Sequence, residues 1–172
     1  MYQFITQAIG FIASGLEIGS FQCKSSKKLI FTQLCGNLTF LIHMLMLGGY
    51  SGCASLLISC IRNLVFSSSR PWAYWKDWPW ILVAANIAGA IVTWENWFSL
   101  LPCIAVVSVT LSCWTRNGKI IRIAGSCISA PMWLIYDIYT GSYSGILTEI
   151  FVLCSVGISV ARYGWKALDV TE

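Results

Sequence analysis

The chain has 172 residues, of which 57% are hydrophobic and only 10% charged, where a soluble domain carries about 25% charged residues. So little charge excludes a water-wetted globule, and the apolar residues fall in long runs that point to lipid as the solvent. The net charge of +4 is no nucleic-acid footprint, because the basic residues cluster at the edges of those runs.

In chain order, the first run predicts a helix over 3–21. Met1-Tyr2-Gln3 lacks the basic stretch of a secretory signal and no A-x-A-like site follows, so this run is expected to be kept as a span. Further helices are predicted over 29–48, 52–66, 79–94, 97–114, 120–139 and 144–163, each bounded by charges, Gly, Pro or Asn. Several lie near the lower length limit for crossing about 30 Å of hydrocarbon. The eight cysteines (23, 35, 53, 60, 103, 113, 127 and 154) contain no C-x-x-C pair and no Cys/His cluster. Most sit inside apolar runs as small hydrophobes, which argues against a zinc site or a disulfide framework.

Seven spans sort the basic residues. Loops 22–28, 67–78 and 115–119 and the C-terminal tail, with their helix ends, hold Lys24, Lys27, Lys28, Arg70, Lys76, Arg116, Lys119, Arg122, Arg162 and Lys166. The N-terminus and the loops near 49–51, 95–96 and 140–143 hold no Lys or Arg. The positive-inside rule then places the N-terminus outside and the C-terminus in the cytoplasm. Trp72, Trp75, Trp78, Trp80, Trp94, Trp97, Trp114 and Trp165 fall at span ends as an interfacial belt, whereas Trp133 lies within a span.

An internal repeat overlays this pattern. Gly49-Tyr50-Ser51-Gly52 matches Ser142-Tyr143-Ser144-Gly145 at an offset of 93, which also pairs Phe40 with Trp133, His43 with Tyr136, and Ser20-Phe21 with Cys113-Trp114. The chain thus divides into a first three-helix repeat (1–66), a cytoplasmic loop with linker helix 4 (67–96), a second three-helix repeat (97–165) and a cytoplasmic tail (166–172). Three helices and one connector make the halves parallel repeats about an axis along the membrane normal. That arrangement belongs to transporters with a site between the halves.

The stretch Leu41-Ile42-His43-Met44-Leu45-Met46-Leu47-Gly48-Gly49-Tyr50-Ser51-Gly52, with Ile61-Arg62-Asn63, resembles the bacterial inner-membrane YgjV family. So do Leu100-Leu101-Pro102, Trp133-Leu134-Ile135-Tyr136 through Gly141-Ser142-Tyr143-Ser144-Gly145, Glu149 and Ala161-Arg162-Tyr163. That family is similar in architecture to the SWEET, PQ-loop and PnuC transporters, which share the three-one-three plan. The resemblance implies an all-α, seven-helix protein of the bacterial inner (plasma) membrane. It further implies a substrate site of a small residue and an aromatic one turn apart: Gly36 with Phe40 on the second helix, Ser129 with Trp133 on the sixth. At the Asn position of SWEET-like third and seventh helices this chain offers Ser55 to Ser59 and Glu149. Of the hinge prolines it keeps Pro102 and Pro131, with Gly10 and Gly36 the nearest substitutes in the first half.

A charge at a helix centre costs about 2.5–3.5 kcal/mol on insertion scales, so each needs a reason. Arg62 shares a face with Ser55 and Ser59 by helical spacing, and Glu17 lies at matching depth. The two could be a structural clamp or a gate, or Arg62 could bind an anion. Glu149 has Leu56 as its repeat counterpart; it could hydrogen-bond a polyol, attract a cation or take up a proton. His43 and Asp137 lie at similar depth, and Tyr136 shares a face with Ser129 and Trp133. A lone His near an interface is more often a hydrogen-bonded structural residue than a relay, and Asp137 could simply reach water. Phe40 and Trp133 could flank a substrate or merely pack.

No enzyme motif is present, and the single His leaves no multi-His metal site. The sequence therefore reads as a small-solute transporter of the sugar, nucleoside or vitamin-precursor type, working by alternating access, without cofactor or nucleic-acid partner. Its partners are the bilayer and a solute; self-association is left open. The rival is a non-transporting scaffold or accessory subunit, with a dry, apolar space between the halves.

Overall fold

Long apolar runs in lipid have one economical way to satisfy their backbone, the helix. The computed structural model describes residues 2–20, 26–68, 70–115, 120 and 123–163, and among them it forms helices and no strand. The helices are α1 (Tyr2–Ser20), α2 (Ser26–Leu47), α3 (Tyr50–Ser67), α4 (Trp78–Val92), α5 (Leu100–Trp114), α6 (Ala130–Thr140) and α7 (Tyr143–Tyr163). Short 3₁₀ turns at Pro71–Tyr74 and Trp97–Ser99 lead into α4 and α5. Their boundaries follow the apolar runs closely. Lys24, Arg116, Lys119, Arg122 and Lys166 lie outside the described residues, as does the 166–172 tail.

Glycine sets two of the tight turns. Gly48, between α2 and α3, and Gly141, between α6 and α7, have φ of +79° and +72°. This left-handed conformation ends a helix and costs a side-chain-bearing residue more than Gly. The sixth helix holds a feature absent from the sequence reading. A π-helical stretch, Ala124–Ser129, runs directly into α6. Pro131 has no N–H for the i→i−4 ladder, and a wider turn just before it accommodates that loss together with one additional residue.

Packing closes the helices into a ring. α1 touches α2, α2 touches α3, α3 touches α5, α5 touches α6, α6 touches α7, and α7 returns to α1. Helix α4 packs outside, against α3 and α5. Side chains tie one end together: the Tyr2 hydroxyl donates to the Met46 carbonyl at 2.8 Å, Gln7 Nε2 donates to the Gly141 carbonyl at 3.0 Å, and Asn96 Nδ2 donates to Tyr139. The start of α1 and the α2–α3, α4–α5 and α6–α7 connections therefore share this end, called the N-terminal end below.

Polarity is inverted relative to a soluble protein. Val92 is 85% exposed, and Phe4, Phe31, Ile91 and Trp97 also face outward, while His43 is 0% exposed and Ser14, Asn86, Thr110 and Ser144 are buried. Large apolar groups outside and small or hydrogen-bonded groups inside are what a lipid solvent selects. By length and composition alone, one described helix, Trp97–Trp114, is long and apolar enough to cross a membrane; Phe31–Leu47, Tyr50–Phe66, Trp78–Val92 and Tyr143–Cys154 are shorter apolar helices.

Asn86 fastens α4 to the ring. Its Oδ1 accepts from Ser55 Oγ at 3.1 Å, and its Nδ2 donates to the Cys103 carbonyl at 3.0 Å. Interhelical bonds of this kind average about 0.6 kcal/mol. Asn86→Leu should therefore cost roughly 1 kcal/mol, read as a fall of a few degrees in the thermal midpoint of the detergent-purified protein.

Candidate functional site: a polar cavity and its sealed end

The ring encloses a cavity of about 310 Å³. Every ring helix contributes to it: Glu17 from α1, Phe40 from α2, Arg62 from α3, Val109 from α5, Trp133 from α6 and Glu149 from α7. Helix α4 contributes nothing. Asp137, Met44 and Gly145 bound the cavity toward the N-terminal end; Gln33, Asn63, Cys113 and Gly125 bound it toward the other.

The structure brings most of the expected site residues to this space. Trp133, Ser129, Glu149, Phe40, Ser59, Glu17, Arg62 and Asp137 all line it. Glu17 and Arg62 attract one another electrostatically, and the Arg62 guanidinium donates through Nε and Nη2 to Asn63 Oδ1 at 3.3 and 3.2 Å. The Trp133 ring meets Tyr136 edge-on, with centroids 6.0 Å apart. Asp137 is 2% exposed; its Oδ1 has no hydrogen-bond partner.

Four expected site residues lie elsewhere. Gly36 does not line the cavity; a Cβ there would stand 2.9 Å from Glu17 Oε2, so its missing side chain makes room for that carboxylate. Its neighbour Asn37 lines the cavity instead. Ser55 faces α4, bonded to Asn86. His43 and Tyr136 belong to the seal at the N-terminal end. Of the two prolines, Pro102 is buried in α5 and Pro131 abuts the π-helical stretch.

The seal has two parts. His43 Nδ1 donates to the Thr6 carbonyl at 2.8 Å, since a carbonyl can only accept; in the neutral ring Nε2 then accepts from Ser142 Oγ, 2.9 Å away. Ser144 Oγ lies 3.3 Å from the same nitrogen, and Ser14 and Thr148 extend the network between α1 and α7. Across the ring, Tyr136 Oη bonds Ser51 Oγ at 2.9 Å and accepts from the Gly52 N–H at 3.0 Å. Gly52 N–H is one of the first-turn donors that α3 cannot satisfy internally. Tyr136 also lines a second pocket at the N-terminal end, of about 280 Å³, with Gly49, Glu95 and Tyr139. It thus stands between that vestibule and Asp137 in the cavity. Tyr136→Phe should strand the Gly52 donor and cost about 1–3 kcal/mol, checked as a lowered thermal midpoint.

A helical ring with an inverted surface and charged groups lining an internal cavity fits an α-helical membrane protein. The chain belongs to the Imp-YgjV family, bacterial inner membrane proteins, whose family model matches residues 4–166. It is 23% identical over 171 residues to the inner membrane protein YgjV of Escherichia coli (strain K12), covering 95% of this chain and 86% of that protein. No solved structure matches. The protein is accordingly a bacterial inner-membrane protein.

Proposed function

We propose that this protein is a small-solute carrier rather than an enzyme, and that it works by alternating access between two parallel three-helix halves joined by α4, on the SWEET-like and PnuC-like plan. The N-terminal end faces the outside and the basic end the cytoplasm. The observation that carries the reading is the cavity itself. A scaffold needs only a dry, apolar contact between its halves, whereas here Ser129, Trp133 and Glu149 share one space with Glu17, Arg62 and Asp137. Ionisable groups within a membrane are costly and mark substrate paths.

Three features support the repeat. The first helix of each half packs against the third helix of the other, α1 on α7 and α5 on α3, as a two-fold axis along the membrane normal requires. The two left-handed glycines, Gly48 and Gly141, are 93 positions apart. Cavity-lining residues also pair between the halves: Phe40 with Trp133, Met44 with Asp137, Leu56 with Glu149 and Ser59 with Val152 at 93, but Glu17 with Val109, Gln33 with Gly125 and Asn37 with Ser129 at 92. The offset slips by one at the π-helical stretch, which is where a single extra residue is absorbed. With this slip, Gly10 answers Pro102, and Ala13 answers Ala105.

In this reading the His43 and Tyr136 networks close the external side, and the vestibule beyond Tyr136 is the external mouth. Uptake into proteoliposomes tests the function. A panel of sugars, nucleosides and vitamin precursors should include at least one solute accumulated above empty vesicles; folded protein that moves none of them sinks the reading for that panel.

A further inference from the structure

The cavity is unbalanced in charge. Among the described residues, three carboxyl groups, Glu17, Asp137 and Glu149, face one guanidinium, Arg62, and no Lys or His lines the space. Glu149 lies within the repulsive field of both Asp137 and Glu17. Arg62 is already engaged by Asn63 and by the attraction of Glu17, which leaves the Asp137–Glu149 side of the cavity without a cation of its own. There, Asp137 is 2% exposed and its Oδ1 has no hydrogen-bond partner. Its carboxyl lies against Gly145 at the cavity wall, and a buried acceptor left without a donor calls for a partner.

The remaining wall is aromatic. Trp133, one helical turn before Asp137, and Phe40 line the same space. An indole face beside carboxylates attracts an organic cation twice, through the ring quadrupole and through charge. A small metal ion fits less well, because among the described residues no three His, Cys, Asp or Glu groups come close enough to hold one. The route in has the same sign: the vestibule at the N-terminal end holds Glu95 beside Tyr136 and Tyr139, and among the described residues no Lys, Arg or His lines it. A mouth and a site of one sign concentrate the opposite ion along the path.

We propose that the carrier's substrate is a small organic cation, an ammonium or quaternary ammonium bearing an apolar body, held between the Asp137 and Glu149 carboxylates and the face of Trp133. This rests on the carrier reading and names its substrate class. Choline and its uncharged isostere 3,3-dimethyl-1-butanol differ in charge and little in shape, so they serve as probes. Calorimetric titration of the detergent-purified protein should show choline binding at least tenfold more tightly than the isostere, with Glu149→Gln, Asp137→Asn and Trp133→Ala each weakening choline several-fold. Equal binding of the two, or no binding of choline, tetramethylammonium or benzyltrimethylammonium, overturns the proposal; this comparison uses the unmodified protein and does not depend on any variant folding. Proteoliposome uptake separates the two readings. Uptake of neutral solutes with no preference for these cations removes the cation site and leaves a carrier, whereas tight cation binding without uptake leaves the site and removes the carrier.

Discussion

Gly10→Val should lower stability by about 3–5 kcal/mol. Gly10 sits where α1, α2 and α7 converge. A Cβ at this position would overlap Ser144 Oγ and stand 2.7 Å from His43 Cε1 and 2.9 Å from Nδ1. Neither neighbour can retreat cheaply, since the imidazole is fixed at both nitrogens, by the Thr6 carbonyl and by Ser142. Overpacking of this kind costs about 1–3 kcal/mol, and a buried ring driven from its partners costs about as much again. The thermal midpoint in detergent should fall by roughly 10 °C. Gly15 is the control: nothing lies within 4 Å of its Cβ position, so Gly15→Ala should leave the midpoint unchanged or slightly raised.

Arg62→Met should cost about 3–5 kcal/mol, because it removes the one cation that, among the described residues, lines a cavity keeping three carboxyls. Of the three carboxyls, Glu17 is the one that attracts the guanidinium. Most of the cost is therefore the burden of an uncompensated charge, and a second substitution should relieve it. The pair Arg62→Met with Glu17→Gln should regain about 1–3 kcal/mol relative to Arg62→Met alone, measured as a four-corner cycle of thermal midpoints. A double variant no better than Arg62→Met would show that the guanidinium acts on some other group. Arg62→Lys keeps the charge but loses the planar fork that reaches Asn63 through two nitrogens, and should fall between the two.

The helices were legible because each rests on a predominantly apolar run, and lipid favours helix for such a run. The cavity was legible where a residue stood out chemically: Glu17, Arg62, Asp137 and Glu149 as charges in apolar sequence, and Trp133 as a tryptophan away from the span ends. It was illegible where the inference leaned on repeat spacing. An offset of 93 singled out Gly36 opposite Ser129, but Asn37 is the residue that lines the cavity, and a π-helical stretch runs up to Ser129. Nothing in Ala124–Ser129 announces a π turn except the proline shortly after it. Ser55 failed for another reason: helical spacing put it on the Arg62 face, but Asn86 of α4 draws its hydroxyl outward. Gln33 and Thr148 were missed as ordinary polar residues in apolar runs. His43 and Tyr136 stood out in the sequence too, yet they line the seal and not the cavity.

The seal at His43 also bears on how the chain is made. Of its two ring partners, Thr6 stands on the first helix and Ser142 in the turn that opens into the last, and Ser142 follows His43 by 99 residues. At a synthesis rate of about 5–20 residues per second, α1, α2 and α3 are complete for roughly 5–20 s before α7 exists. Throughout that interval the first three helices carry an imidazole, an arginine and a row of serines toward a ring that has not closed. Bare hydrocarbon would be a poor host for that face. The nascent half has to be sheltered, by insertion machinery or by water kept beside it, until the last helix arrives.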